Sequence, residues 1–177
     1  MFVWVGCAVP EAVAAPLRAH CLACNEKLGL SAVAFSLPQH ISLKISFSVP
    51  DPEPVLDFLE DVLSQESRFT AAFADIARLN NILWCGVQEN HRLRQLHQKL
   101  DSLLQAHWGI VPHPFDLDFR FHSTLFMDPD QEKLEQMRTM LHNYPLSPSF
   151  PVTTCLLGVS PSGVPGSFQV VREINFL

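Results

Sequence analysis

Two short segments of the chain repeat one pattern of a histidine, a hydroxyl residue and a leucine. They are residues 40–43 (His-Ile-Ser-Leu) and residues 122–125 (His-Ser-Thr-Leu). Alternate side chains of a strand point to the same face, so His40 shares a face with Ser42, and His122 with Thr124. Two imidazoles near neutral pH can remove one proton and deliver another, because the pKa of an unperturbed histidine is about 6.5. The pattern therefore predicts acid–base chemistry of the kind that hydrolyses a phosphodiester.

Hydroxyl and cationic residues that lie an even number of positions from each histidine share its face of the strand, and they fit that chemistry. The hydroxyls of Ser42 and Thr124 would donate hydrogen bonds to the non-bridging oxygens of a phosphate. Lys44 follows Ser42 by two residues and Arg120 precedes His122 by two, so both cations are predicted to face the same cleft. An alternative is that both lie at the rim of the cleft and only steer a charged ligand.

A single histidine of this kind is more simply explained as an ordinary strand residue. The repetition of the histidine, the hydroxyl and the leucine in register favours a site. The other histidines show no metal-ligand spacing, since His91 and His97 are six residues apart on a predicted helix and do not share a face. The sequence predicts no metal and no cofactor.

The elements around the two segments occur in the same order in each half of the chain. Hydrophobic periodicity predicts helices over residues 11–28, 51–63, 89–108 and 128–143, with Asp-Pro caps at Asp51 and Asp128. It predicts strands over residues 2–9, 34–49, 69–79, 81–87, 121–126, 150–159 and 168–176. This order indicates an internal duplication. We expect one α+β domain over residues 1–177, with two pseudo-symmetric lobes of antiparallel sheet plus helices around a central cleft.

Composition limits the classes of partner. The chain has 47% hydrophobic and 17% charged residues, which is typical of a compact globular protein. Its net charge is −6 and its 12 Lys and Arg are scattered, which argues against binding to a long duplex and favours a nucleotide or an RNA end.

No apolar run is long enough to span a membrane. Five cysteines without regular spacing predict reduced thiols, with a redox pair at Cys21 and Cys24 as a minor alternative. We expect a cytoplasmic monomer.

The chain resembles the two-histidine (2H) phosphoesterase superfamily, which includes bacterial 2′-5′ RNA ligases and 2′,3′-cyclic phosphodiesterases. The resemblance rests on the segments 40–43 and 122–125, on residues 82–87 before the long helix and on the closing strand 168–177. It covers nearly the whole chain. It implies a bilobal fold, a metal-independent site at His40, Ser42, His122 and Thr124, and RNA-type phosphates as substrates.

Two features depart from the family pattern. The middle residue of the second segment is usually aliphatic, whereas here it is Ser123. Ligase-like members often have an arginine just after the second segment, where this chain has Phe126 and Met127. We expect hydrolysis of 2′,3′-cyclic phosphate or 2′-5′ phosphodiester bonds in nucleotides or short RNA, with ligation as the reverse reaction. The alternatives are a non-catalytic nucleotide-binding module and a phosphoesterase for a non-nucleic metabolite.

Overall fold

Four helices and ten strands are formed in residues 1–146 and 149–177, the part of the chain that the structure, a computed structural model, describes. The helices are α1 (Glu11–Asn25), α2 (Glu53–Leu63), α3 (His91–Trp108) and α4 (Gln131–Leu141). The strands are β1 (Phe2–Ala8), β2 (His40–Ser42), β3 (Phe47–Ser48), β4 (Phe69–Ala71), β5 (Phe73–Leu79), β6 (Ile82–Val87), β7 (His122–Met127), β8 (Phe150–Val152), β9 (Thr154–Ser160) and β10 (Gln169–Asn175). Short 3₁₀ turns lie at Val33–Ser36 and Pro114–Asp116.

The largest sheet joins strands that are distant in the sequence. Its order is β10-β9-β1-β2, and β3 pairs with the beginning of β1. All of its pairs are antiparallel, with Ala8 opposite His40 and Gly6 opposite Ser42. The first histidine segment therefore lies at the edge of a five-stranded sheet.

The second histidine segment belongs to a different sheet. Strands β5, β6 and β7 form an antiparallel sheet in which Gly86 lies opposite His122, and α3 connects β6 to β7. A third sheet consists of β4 and β8. The predicted α+β class, with antiparallel sheets and helices, is confirmed.

Strand alternation decides which side chains enter the core. Val3, Val5 and Cys7 of β1 are fully buried in one apolar cluster, which also contains residues of all four helices and all three sheets. Trp4 and Gly6 alternate with them and therefore face the opposite side of the sheet, where the His40 side chain also lies. One face of this sheet thus builds the core, and the other is free to line a site.

Side-chain caps fix where two of the helices begin. The side chain of Asn90 accepts hydrogen bonds from the amides of Arg92 and Leu93 at the start of α3. Asp130 caps α4 by accepting from the amide of Lys133, so the predicted cap at Asp128 is two residues too early. Asp128 instead accepts from the amides of Asp130 and Ser31. Within the residues described, no helix is both long enough and apolar enough to cross a membrane.

Two of the predicted strands are shorter than expected. Residues 34–49 do not form one strand but a 3₁₀ turn followed by β2 and β3. The pairing of β2 with β1 ends at Ser42, and the chain then bends at residues 43–44. Residues 69–79 form two strands, since Ala71 pairs with Phe150 in one sheet and Phe73 pairs with Val87 in another. A period-2 pattern cannot show such a change of partner, because both strands keep their apolar alternation.

Candidate active site

His40 lies in β2, and one of its ring nitrogens forms a hydrogen bond with the backbone. Its Nδ1 lies 2.7 Å from the backbone oxygen of Pro38. The ring is half-buried, as is Ser42 two residues later, whereas Ile41 between them is fully buried in the core. The imidazole and the hydroxyl therefore lie on the side of the strand that faces away from the core.

His122 is held in the same way in β7. Its Nδ1 lies 2.7 Å from the backbone oxygen of Arg120, which is again the residue two positions earlier. His122 and Thr124 are half-buried, and Ser123 between them is fully buried. The two halves of the chain thus position their histidines by one local device.

This device fixes the tautomer of both rings. A carbonyl oxygen only accepts hydrogen bonds, so the Nδ1 atoms of His40 and His122 must each carry a proton and donate it. The neutral form of each ring then has its lone pair on Nε2. Each ring can accept a proton at Nε2 when neutral and donate one from Nε2 when charged.

Each histidine also contacts a tryptophan of the neighbouring strand. The ring of Trp4 meets His40 edge-on at a centroid distance of 4.2 Å, and Trp84 stacks on His122 at 4.5 Å. Trp4 is buried, and Trp84 is half-buried. Each indole therefore forms a wall beside its histidine.

Gly6 allows His40 and Trp4 to approach each other. A Cβ atom at Gly6 would lie 2.7 Å from Cζ2 of Trp4 and 3.2 Å from Cδ2 of His40. Any other residue would push one of these rings away, because real Cβ atoms do not approach other heavy atoms so closely. The position of the His40 ring therefore depends on glycine at residue 6.

Burial lowers the pKa of both imidazoles. The pKa of His40 falls to about 4, because burial disfavours its charged form and the charge of His122 disfavours it further, against the opposing hydrogen bond to Pro38. Burial also lowers the pKa of His122, and its bond to the carbonyl of Arg120 opposes this. Both rings are therefore neutral in the empty site at pH 7, and a bound anion would favour their protonation.

Two polar residues that the sequence did not assign to the site join the two histidine strands. The hydroxyl of Ser123 donates to the backbone oxygen of His40 at 2.6 Å, and it accepts from Nε2 of Gln39 at 2.6 Å. The same Gln39 nitrogen donates to the backbone oxygen of Thr124 at 2.9 Å. The sequence feature that could have indicated this contact is Ser123 itself. It is a hydroxyl residue at a core-facing position of an apolar strand, where the family usually has an aliphatic residue.

The prediction that Lys44 faces the cleft is wrong. Strand β2 ends at Ser42, so the alternation on which the prediction rested does not extend to Lys44. The Lys44 side chain is 2% exposed, its Nζ donates to Asp116 Oδ2 at 2.8 Å, and it also donates to Asp101. A buried ammonium that is paired with two carboxylates cannot also bind a substrate phosphate.

Lys44 belongs to a polar cluster beneath the first histidine strand. His97 of α3 contacts the backbone oxygen of Leu43 through Nδ1 at 2.7 Å and that of Asp116 through Nε2 at 2.9 Å. Ligand atoms of His97, Asp101 and Asp116 lie within 4.8 Å of one another, a spacing that a metal ion could use. The ammonium of Lys44 already supplies the cation between the two carboxylates. We therefore assign this cluster to the stability of the fold.

Arg120 lies at the other end of the predicted cation pair. It is exposed, and it precedes β7 by two residues. Its backbone oxygen orients His122, whereas its guanidinium is on the surface of the protein. Of the two predicted cations, Arg120 is therefore the exposed one, two residues before the second histidine.

Comparisons with known proteins place the whole chain in one structural group. The family model described as the 2′-5′ RNA ligase superfamily matches residues 10–159. Among solved structures, TT0787 of Thermus thermophilus is 15% identical with a TM-score of 0.67, covering 99% of this chain and 97% of that chain. Escherichia coli LigT complexed with 3′-AMP is 18% identical with a TM-score of 0.62, covering 98% and 96%.

A more distant relative has the same fold. Usb1 of Kluyveromyces marxianus is 11% identical with a TM-score of 0.52, covering 97% of this chain and 96% of that chain. At such identities these structures establish the fold alone. No match was found among curated proteins.

Proposed function

The chain belongs to the 2′-5′ RNA ligase superfamily, and from this we propose that it is a metal-independent phosphodiesterase. The proposed substrates are 2′,3′-cyclic phosphates and 2′-5′ phosphodiester bonds of nucleotides or short RNA. The observation that carries the proposal is the pair of imidazoles, each anchored through Nδ1 and each with no hydrogen-bond partner for Nε2 among the described residues. Structures of the related LigT complexed with 3′-AMP, phosphate and ATP support a nucleotide as the ligand.

The reaction needs two protons to move in opposite directions. Burial lowers the pKa of both rings, so either can start as the neutral base, and the reaction is written here with His40 as the general base. Its Nε2 takes a proton from water as the water oxygen forms a bond to phosphorus. The bond from phosphorus to the leaving oxygen breaks, and His122, protonated when the anionic substrate binds, donates its Nε2 proton to that oxygen. In ligation a 5′-hydroxyl takes the place of water: its oxygen forms a bond to the phosphorus of a 2′,3′-cyclic phosphate as one imidazole accepts its proton. The bond from phosphorus to the 3′-oxygen breaks, and the other imidazole donates a proton to that oxygen.

The hydroxyls and one cation complete the proposed site. Ser42 and Thr124 lie two residues after the histidines and would donate to the non-bridging oxygens, where negative charge builds up in the transition state. Arg120 would hold the substrate electrostatically from the rim, an effect that salt screens. If Arg120→Met left KM and its salt dependence unchanged, Arg120 would have no part in the site.

The pH dependence of kcat/KM follows from the lowered pKa values. Because one imidazole must be neutral and the other charged, kcat/KM should follow a bell whose limbs fall about tenfold per pH unit. Both free-enzyme pKa values lie below the ordinary 6.5, so the maximum should lie on the acid side of pH 6.5. The maximum of kcat should lie at higher pH, since bound phosphate stabilises the charged rings. A rate that rose steadily to pH 10 would instead indicate hydroxide or a lysine as the base.

A substrate panel tests the proposal directly. Purified protein is incubated with the four 2′,3′-cyclic nucleotides and a 2′-5′ dinucleotide, each with and without EDTA, and products are separated by chromatography. We expect turnover of at least one substrate at a rate that EDTA does not change. Binding without turnover would indicate a nucleotide-binding module. A protein that neither binds nor hydrolyses these compounds would point to a non-nucleic phosphodiester as the substrate. A loss on chelation that Zn²⁺ or Mg²⁺ restored would contradict the metal-independent mechanism.

A further inference from the structure

The relative position of the two histidines is not fixed by a sheet. His40 lies in the five-stranded sheet and His122 in the three-stranded sheet, so no ladder of backbone hydrogen bonds joins their strands. Apolar packing between the strands is non-directional and does not select one register. The alignment of the two imidazoles therefore needs a directional contact between β2 and β7.

Ser123 and Gln39 supply such a contact. Ser123 is fully buried and Gln39 is 5% exposed, so their polar groups must find partners within the protein. The hydroxyl of Ser123 uses its proton on the carbonyl of His40, and it accepts from the amide of Gln39. That amide group also donates to the carbonyl of Thr124. The hydrogen bonds thus close a small network between two strands of different sheets.

The network contacts the backbone of the site residues themselves. One bond ends on the carbonyl of His40 and another on the carbonyl of Thr124, while Ser123 directly follows His122. A shift of either strand would break these bonds and would also change the distance between the two Nε2 atoms. Misplacement of reacting groups by about 1 Å can cost about 10²-fold in rate, so this network has the position to control catalysis.

We propose that Ser123 and Gln39 are positioning residues, whose buried hydrogen bonds set the spacing of His40 and His122. The proposal rests on the proposed function of the two histidines as acid and base. It assigns a purpose to Ser123, the serine that stands where the family usually has an aliphatic residue. If the network served stability alone, its loss would lower the melting temperature and leave the chemistry of the folded molecule unchanged.

The test is a double-mutant cycle with Ser123→Ala and Gln39→Met, which remove the hydroxyl and the amide at nearly constant shape. We expect each single variant to lower kcat about tenfold or more, with a smaller change in KM, because substrate still binds but the histidines are misaligned. The double variant should be no slower than the slower single variant, since both changes break one network. Undiminished kcat in both single variants, or fully additive losses, would overturn the proposal.

Ser160→Ala is the matched control. Ser160 is also a fully buried serine, and its hydroxyl accepts from the amides of Ser162 and Gly163 in the loop after β9, away from the contact between β2 and β7. Its loss should lower the melting temperature and leave kcat unchanged. If Ser160→Ala slowed catalysis as much as Ser123→Ala does, the effect would be one of general stability, and the proposal would be wrong.

A second readout does not depend on turnover. Burial above all, and also the charge of His122, lower the pKa of His40, so a displaced ring should titrate at a different pKa in an NMR titration of Ser123→Ala. An unchanged titration would overturn the proposal even if the protein hydrolysed none of the panel substrates. A shifted titration in a protein without turnover would support the positioning role and reject the phosphodiesterase instead.

Discussion

His40→Ala and His122→Ala should each lower kcat by about 10²–10⁴-fold, the range that a general acid or base contributes. The physical reason is that each ring has its Nδ1 committed to a backbone carbonyl, so Nε2 is the atom that exchanges protons with the reactants. Both rings are half-buried and lie on the side of their strands that faces away from the core, so the melting temperature should change little. The measurement is single-turnover kinetics on the best cyclic nucleotide, together with thermal unfolding.

The losses should also be non-additive. Removal of one proton-transfer group already disables the coupled reaction, so the double variant should be barely slower than either single variant. His91→Ala is the control, because His91 is an exposed histidine at the start of α3 with no part in the proposed site. A variant at His40 or His122 that kept a third of the wild-type rate would rule out the two-histidine mechanism.

Lys44→Met should have the largest effect on stability, lowering the free energy of unfolding by about 3–5 kcal/mol. The substitution leaves the carboxylates of Asp101 and Asp116 without their shared cation, and the side chain of Asp116 is 1% exposed. Burial alone would raise the pKa of Asp116, but the bonds from Lys44, Ile45 and His113 bring it below its ordinary value. Chemical denaturation at pH 7 measures the loss.

The pairing of Asp116 with Lys44 also predicts how the stability of the protein changes with pH. A carboxylate whose pKa is lowered by folding contributes stability above its unfolded pKa of about 3.9, and this is lost as the pH falls through the folded pKa. Wild type should therefore retain this contribution down to about pH 4, whereas Lys44→Met should lack the part that Lys44 supplies at every pH.

Lys133→Met is the surface control for Lys44. Lys133 and Asp130 are 3.8 Å apart, and each side chain is 44% exposed, so the pair should contribute less than about 1 kcal/mol. If Lys44→Met kept wild-type stability and instead lowered kcat tenfold, Lys44 would contact the substrate after all.

The sequence predicted the histidine strands well over the few residues where alternation holds. In the stretch His40–Ser42, a buried isoleucine separates two half-buried polar residues, as the period-2 pattern requires. The same reasoning failed at Lys44, because nothing in the alternation shows that the ladder stops and the chain bends. It could not show the contact of Trp4 with His40 either, since that contact depends on the pairing of β1 with β2, which is a tertiary feature.

The internal duplication stays a proposal, with one structural feature in its favour. Each histidine donates to the carbonyl two residues earlier and contacts a tryptophan of the adjacent strand. Such details are not visible in a composition or a hydropathy pattern, because they depend on the backbone conformation at Pro38 and Arg120. The link between Ser123 and Gln39 was likewise invisible, since it joins two sheets whose relative placement the sequence does not encode locally.

The topology of the two sheets has a consequence for how the protein is made. The three strands of the sheet that contains His122 lie within residues 73–127, whereas the ladder between β1 and β9 joins Phe2–Ala8 to Thr154–Ser160. Contacts between residues so far apart in sequence form slowly and late, because closing a long loop costs entropy before any contact rewards it. On the ribosome, the His122 sheet can form while β9 is still being synthesised. In refolding followed by pulsed hydrogen exchange, we expect the amides of β6 and β7 to become protected before those of β1 and β9.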